Sequence, residues 1–341
     1  MTVHFVLPGG VADPTSPSGG NAYDRRVTAG LRDLGVDVRE IVVTGGWPRP
    51  DDTARRELGR ALAAIGDGAV VLLDGLVACG VPEVVVPHAS RLRLVVLVHL
   101  PLADETGLPP SVAERLDAAE RECLRAVRAV VATSPSAARR LTAHHGPADV
   151  HVVTPGADPA PLATGTDGAS RLLCVASLTP RKGHDVLVAA LATVADLPWT
   201  CAFVGPEPPG SPIRDLIAHH DLADRFSLPG PLTGSPLEHA YATADLFVLP
   251  SRAETYGMVV TEAVARGVPV IASAVPDALG EGGLLLPPGD VGSFALALRR
   301  WLTDGEWRCV LRERALARRA ELSTWDVAAA GLAAVLRGVS R

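Results

Sequence analysis

The sequence predicts an α/β protein made of two doubly wound, Rossmann-like parallel-sheet lobes in tandem. Three observations carry this reading. Short β-branched or aliphatic runs alternate with stretches of helical spacing. The alternation breaks once, at a stretch rich in Pro, Ala, Gly and Thr, and then restarts. The chain, at 341 residues, also exceeds one ordinary domain.

In the first half the apolar runs fall at residues 3–7, 36–43, 69–73, 92–98, 129–132 and 150–153. Between them Tyr23, Val27, Leu31 and Leu34 show the i, i+4, i+8, i+11 spacing of a helix with one apolar face. Strands that are apolar almost throughout belong in a parallel sheet covered by helices on both faces. The pattern stops at Pro155-Gly156-Ala157-Asp158 and stays broken to Ser170, so a linker is expected over 156–170, after a lobe over 1–155. A second lobe is expected over 171–322, with runs at 172–176, 201–204, 246–249, 268–272 and 284–286. The segment 323–341 reads as a C-terminal helix. Ser323 or Thr324 can cap it, and Thr324 immediately precedes the apolar-periodic run from Trp325. In open α/β sheets ligands bind beyond the carboxyl ends of the strands, so the post-strand loops are expected to line a cleft between the lobes.

Composition narrows the function. Hydrophobic residues at 48% and charged residues at 21% are globular values. The net charge is −6 and neither half has a surplus of positive charge, which weighs against nucleic-acid binding and against attachment to an acidic membrane. The scattered cysteines Cys79, Cys123, Cys174, Cys201 and Cys309 show no CxxC spacing, so neither a disulfide framework nor a zinc site is expected. MTVHFVLPGG lacks the basic flank and apolar length of a signal peptide, and no 18-residue apolar stretch occurs, so the expected location is cytoplasmic. Lys182 is the only lysine and Asn21 the only asparagine, and both lie beside glycine-containing turns.

Two post-strand loops hold the best candidates. After the run 246–249 comes Pro250-Ser251-Arg252-Ala253-Glu254-Thr255-Tyr256-Gly257-Met258, with a helix expected to start near Gly257. Amide N–H groups at such a start, aided by the helix dipole, suit a phosphate. Glu262, about a turn and a half along, has acceptor oxygens suited to ribose hydroxyls, and Glu254 in the loop is free to reach another hydroxylated ring. Their plain alternatives are a solvated Glu254 and a Glu262 on an exposed helix face. After 172–176 comes Ser177-Leu178-Thr179-Pro180-Arg181-Lys182-Gly183-His184-Asp185, whose adjacent cations suit a diphosphate, Arg181 bidentately and Lys182 as a point charge. His184 reads as local structure, and Asp74-Gly75, at another strand end, as a simple turn.

These residues resemble the retaining nucleotide-sugar glycosyltransferases of the GT-B fold, most like glycosyltransferase family 4. Glu254 and Glu262 have that family's E-x7-E spacing. Tyr241-Ala242-Thr243-Ala244-Asp245, Gly267-Val268-Pro269-Val270, Val204-Gly205-Pro206, Pro155-Gly156-Ala157-Asp158 and 177–183 look like its recurring segments. The resemblance covers nearly all of the second lobe and is looser in the first. It implies that Arg181 and Lys182 hold the donor diphosphate, that Glu262 meets the ribose, and that Glu254 with the backbone of Thr255, Tyr256, Gly257 and Met258 meets sugar and phosphates. Leu228-Pro229-Gly230-Pro231, with Gly230 and Pro231 at its end, occupies the place where the family's backbone meets the base. In the first lobe Ser18-Gly19-Gly20-Asn21 looks like the family's glycine turn, and His99 matches its histidine near the sugar; the plain alternative for His99 is a structural hydrogen bond at a strand end. One loop departs from the family: Ala274-Val275-Pro276-Asp277-Ala278-Leu279 stands where a Gly-Gly-x-Pro-Glu loop is usual, and looks shortened.

The resemblance implies transfer of a sugar, with retention, from a nucleoside-diphosphate sugar to a hydroxyl, and the near-balance of acids and bases in the stretch 112–130 favours a soluble small-molecule acceptor over a lipid. UDP is favoured over GDP, and the nucleotide sugar is a co-substrate rather than a bound cofactor. Neither D-x-D nor H-E-x-x-H occurs, so no metal clamp is expected. A GT-B sugar-nucleotide epimerase and a non-catalytic nucleotide-sugar binding protein are the alternatives. A dehydrogenase is disfavoured, because Pro8-Gly9-Gly10 lacks the G-x-G-x-x-G spacing.

Overall fold

A computed structural model describes residues 1–11, 18–105, 107–147 and 149–340. Twelve strands among them form two six-stranded sheets, and every pairing is parallel. The chain divides into two compact units, one holding Ser18–Gly156 with the N-terminal strand and the C-terminal helix, the other holding Ala157–Leu322.

The first sheet contains β1 (Thr2–Pro8), β2 (Asp37–Val43), β3 (Val70–Asp74), β4 (Arg93–Val98), β5 (Ala129–Ala132) and β6 (Val150–Val152), in the order β2-β1-β3-β4-β5-β6. Strand β3 is buried along its whole length and β4 beyond its first residue, as expected of strands covered on both faces. Helix Gly19–Asp33 buries Tyr23, Val27 and Leu31 as the spacing requires, while Leu34 falls just past its end and is exposed.

The second sheet contains β7 (Arg171–Val175), β8 (Thr200–Val204), β9 (Phe226–Gly230), β10 (Leu246–Leu249), β11 (Val270–Ser273) and β12 (Leu284–Leu286), in the order β12-β11-β10-β7-β8-β9. Strand β9 is absent from the runs read off the sequence. It is an edge strand of alternating half-buried and exposed residues with Pro229 inside it, and proline, lacking an N–H, is tolerated at such an edge. The pairing with β8 shifts register between Ala202 and Val204, next to that proline.

Two segments are attached in ways the sequence does not show. Residues 157–170 do not form a free linker but run along the second unit, drawn there by Asp245. This buried carboxylate accepts from the amides of Thr166 (2.8 Å), Gly168 (3.1 Å) and Arg171 (3.0 Å) and from the Thr166 hydroxyl (2.5 Å). The C-terminal helix Trp325–Val339, capped by Thr324, belongs to the first unit and packs on helix Gly19–Asp33. A Cβ on Gly156 would stand 2.2 Å from the Trp325 nitrogen, so this glycine admits the returning chain.

Candidate active site

In the second unit the chain runs from β7 outward to β9, then returns to the other side of β7 and runs through β10 to β12. The crevice between β7 and β10 is therefore the topological switch point, where α/β sheets open to ligands. The loops leaving these two strands contain Arg181, Lys182 and Glu254, and the fold ties them together. Gly183 has φ +68°, and a Cβ there would lie 2.1 Å from the Pro250 carbonyl oxygen, so only glycine lets the loops touch. The Arg252 amide donates to the Arg181 carbonyl at 2.7 Å, and the Ser273 hydroxyl to the Ser251 carbonyl at 2.7 Å.

Glu254 is neither solvated nor free to reach a ligand alone, as the sequence suggested. Its side chain is 8% exposed and ion-paired: Lys182 Nζ donates to Oε1 at 2.5 Å, Arg181 Nη1 lies 3.6 Å from Oε2, and the Ser251 hydroxyl donates to Oε1 at 2.8 Å. Arg181 also donates to the Ala253 carbonyl at 3.1 Å. The carboxylate thus fixes two long cationic side chains, whose disorder would otherwise cost about 1.5–2 kcal/mol each on ordering. The two cations are thereby held side by side where β7 and β10 end. Helix Met258–Ala265 starts as expected: Gly257 is its N-cap at φ +94°, no side chain caps it, and a Cβ on Gly257 would meet Val275 at 2.5 Å. Val275 thereby gives the short loop 274–279 a packing role beneath this turn. Thr255 and Met258 are half-buried beside it and Tyr256 is buried.

Glu262 does not lie on an exposed face. It is half-buried, and the Tyr241 hydroxyl donates to its Oε2 at 2.8 Å. Burial pushes its carboxyl above the usual range, opposed by that hydrogen bond and by Arg266. Arg266 also sits over the Tyr241 ring, 4.8 Å from its centre. Gly230, at φ +81°, ends β9, and its carbonyl accepts from the Gly205 amide at 3.0 Å, which sets Gly230 and Pro231 beside the end of β8. His184 is buried, contacts the Cys174 sulfur at 3.7 Å, and has its pKa pushed down to about 4 by burial, with Lys182 adding to the effect, in keeping with a local role.

In the first unit His99 follows β4 directly. Ser18-Gly19-Gly20-Asn21 is not a separate turn. Ser18 caps the helix that begins at Gly19, accepting from the Asn21 amide at 3.2 Å, because its hydroxyl satisfies an amide that the helix leaves unpaired. Asn21 Nδ2 donates to the Gly10 carbonyl at 3.0 Å, tying the loop after β1 to this helix. A Cβ on Gly20 would stand 3.0 Å from His99 Cδ2, so glycine here admits the imidazole. His99 Nε2 pairs with Asp24 Oδ1 at 2.8 Å, and the Tyr23 ring meets the imidazole edge-on, 5.3 Å between centres. Asp74 is not a simple surface turn: it is buried, and it caps helix Gly75–Ala78 by accepting from the Leu76 amide at 2.6 Å. Asp24, Asp74 and His99 bring one ligand-type atom each within 4.8 Å of one another, as do Asp117, His144 and His145 farther along this unit.

The comparisons with known proteins agree on the kind of protein. Residues 169–304 match the family described as glycosyl transferases group 1. A D-inositol 3-phosphate glycosyltransferase of Catenulispora acidiphila is 32% identical over 89% of this chain and 81% of its own length. The chain belongs to the group 1 glycosyltransferases. A second D-inositol 3-phosphate glycosyltransferase, from Kineococcus radiotolerans, is 32% identical over 64% of the chain, and a sulfoquinovosyl transferase of Arabidopsis thaliana is 40% identical over 30% of it. These matches span 59% and 21% of the two relatives' own lengths. Among solved structures, sucrose-phosphate synthase from Thermosynechococcus elongatus superposes with a TM-score of 0.80 at 22% identity, covering 98% of both chains. Anabaena HepE, in complex with UDP and glucose, gives 0.77 at 18% identity, covering 99% of this chain and 100% of its own. The fold of this group 1 family member is thus the GT-B fold of two Rossmann-like units that the sequence predicts.

The sequence did not single out Ser251, Tyr241 as the partner of Glu262, or Asp24. The chemistry of Asp24 comes from a neighbour 75 positions away, and nothing local in the sequence marks it.

Proposed function

We propose that the chain transfers a sugar, with retention, from a nucleoside-diphosphate sugar to a hydroxyl of a small soluble acceptor, without a metal, in the cytoplasm. The observation that carries this is the convergence of Arg181 and Lys182 on Glu254, three residues before the uncapped helix start at Gly257. UDP is the favoured nucleotide, and the solved complexes of Anabaena HepE with UDP and with UDP-glucose support that choice. The relatives named D-inositol 3-phosphate glycosyltransferases support a small polar acceptor. Among the described residues no single helix is long and apolar enough to cross a membrane.

Departure of the diphosphate builds negative charge on its oxygens while the sugar becomes oxocarbenium-like. Arg181, Lys182 and the amides at the Gly257 helix start are charge already in place where the leaving group develops it, and such preorganised donors are the main source of rate in this kind of step. The departing phosphate takes the acceptor proton, so the enzyme supplies no nucleophile. Glu254 positions the two cations and meets the sugar with the Thr255, Tyr256, Gly257 and Met258 backbone. Glu262 accepts from the ribose hydroxyls and Gly230 and Pro231 meet the base, while in the first unit His99, with Gly19, Gly20 and Asn21 before it in the chain, is assigned to the sugar by the family resemblance. Lys182→Ala is expected to lower kcat by roughly 10²–10³ at saturating donor. A thermal-shift panel of nucleoside diphosphates followed by turnover of the best sugar conjugate tests the reading. Wild-type turnover in Lys182→Ala would remove its central element.

A further inference from the structure

The first unit carries a group of metal-ligand side chains that the sugar-transfer reading does not use. Asp117 lies on helix Pro110–Ala126, and His144 and His145 are the last two residues of helix Pro135–His145, which Gly146 ends at φ +65°. Each of the three offers one ligand-type atom within 4.8 Å of the others, and the two imidazole rings meet edge-on with 4.5 Å between centres. The two histidines differ in setting. His144 is at the surface, its side chain 58% exposed, and its Nε2 pairs with Asp117 Oδ1 at 2.5 Å. His145 is buried, with 2% of its side chain exposed. Its Nε2 pairs with Glu120 Oε2 at 3.1 Å, and its Nδ1 is buried with no hydrogen-bond partner among the described residues. Glu120 Oε2 also accepts from the Leu102 amide at 3.3 Å, which fixes this carboxylate from a second side. A cavity of about 470 Å³ adjoins the group, with Asp104, Asp117, Arg140, Leu141, His144 and His145 in its wall.

Ion pairs that tie two helices would account for Asp117 with His144 and for Glu120 with His145, but not for the idle Nδ1. A buried polar atom without a partner costs free energy and is uncommon in folded proteins. In a neutral ring whose Nε2–H donates to Glu120, Nδ1 is a lone pair, which is what a metal ion needs. A carboxylate behind the imidazole is the regular companion of a metal-bound histidine, because it fixes the tautomer and makes the ring a stronger ligand. We propose that Asp117 Oδ1, His144 Nε2 and His145 Nδ1 bind one divalent transition-metal ion, zinc by preference, with Glu120 behind His145 and a water from the cavity in the fourth position. Two nitrogens and one carboxylate oxygen suit zinc, whereas magnesium and calcium take oxygen ligands. No cysteine takes part, so cysteine spacing could not have revealed the site. Ligands of a tetrahedral zinc ion, with bonds of about 2.0–2.1 Å, stand about 3.3 Å apart. The ion therefore takes the place of the proton between His144 and Asp117, and exposed His144 is free to open that contact. Arg121 donates to Asp117 Oδ2 at 2.9 Å, which leaves Oδ1 for the ion; its Nη2, 3.5 Å from His144 Nε2, draws back when the ion enters. Three protein ligands and a fourth position open to a cavity describe an ion held reversibly. The proposal is independent of the sugar-transfer reading, and no step of that reaction passes through the ion.

The test is a titration of Zn²⁺ into the full-length chain, free of any affinity tag and stripped with EDTA, followed by calorimetry and by thermal unfolding. Co²⁺ serves as a spectroscopic probe of the coordination. One ion per chain is expected to bind and to raise the unfolding midpoint, and Co²⁺ to give the intense visible bands of a four- or five-coordinate site rather than the weak ones of the hydrated ion. His144→Ala, at an exposed position, should lower Zn²⁺ affinity by at least about tenfold. Glu120→Gln, which removes no ligand, should lower it by about 10–100-fold, an effect that a mere tie between helices does not produce. His219→Ala/His220→Ala removes the other adjacent histidine pair of the chain and should leave binding unchanged. A wild type that takes up no Zn²⁺, equal affinity in His144→Ala, or loss of binding in the His219/His220 double variant overturns the proposal, the last two by placing the ion elsewhere. The exposed His144 variant decides even where Glu120→Gln does not fold.

Discussion

At the scale of the residue, the second unit's site depends on a carboxylate that holds two cations ready. Glu254→Gln removes the anion from a largely buried cluster, and unpaired buried charge is expensive. Unfolding in urea is expected to show a loss of about 3 kcal/mol without ligand, mostly recovered in saturating UDP, because the diphosphate replaces the missing negative charge. Glycines give a second contrast. Gly183→Ala must place a Cβ against the Pro250 carbonyl at a left-handed φ and is expected to cost more than about 2 kcal/mol, whereas Gly230→Ala, with open space around it, should cost about 1 kcal/mol. The Gly183 turn was legible in the sequence because glycine announces a tight approach. The Glu254 pairing was not, since a carboxylate 72 positions from its lysine gives no local sign of which partner the sheet will bring to it.

At the scale of the element, the same reasoning separates what periodicity reveals from what it hides. Strands β3, β4, β10 and β11 are buried almost throughout and read directly as apolar runs, while β9, half-exposed at the sheet edge and interrupted by Pro229, does not. Helix Trp325–Val339 was legible as a capped helix, but its return to the first unit was not. A Cβ on Gly30 would lie 2.5 Å from Ala329 Cβ, so Gly30→Val is expected to destabilise the first unit by about 1–3 kcal/mol, read as a lower urea midpoint. The ends of β3 and β4 also give the protein a pH signature. His99 is raised in the folded state, so its stabilising contribution is complete below about pH 6.5 and is lost as pH rises through about 9; that of Asp74 is lost between its ordinary range and about pH 7. Stability is therefore expected to fall between pH 6.5 and 9, and His99→Gln to flatten that slope in unfolding curves.

At the scale of the whole molecule, the two parallel sheets and the family were foreshadowed by alternating apolar runs and by loop residues in fixed order. The attachment of residues 157–170 to the second unit was not, because Asp245 recruits them through tertiary hydrogen bonds rather than through any local pattern. On the proposed reading, with Arg181 and Lys182 in the part of a metal clamp, turnover is expected to survive EDTA; strict metal dependence would contradict this. The central claim is that a diphosphate is gripped by Arg181 and Lys182 at the start of the Gly257 helix. Calorimetric titration of UDP and of uridine into the wild type and into Arg181→Ala/Lys182→Ala tests it most directly. The account expects UDP affinity in the double variant to fall most of the way to that of uridine, the Gly257 amides remaining, while uridine binding is unchanged; equal UDP affinity in the two proteins would contradict it.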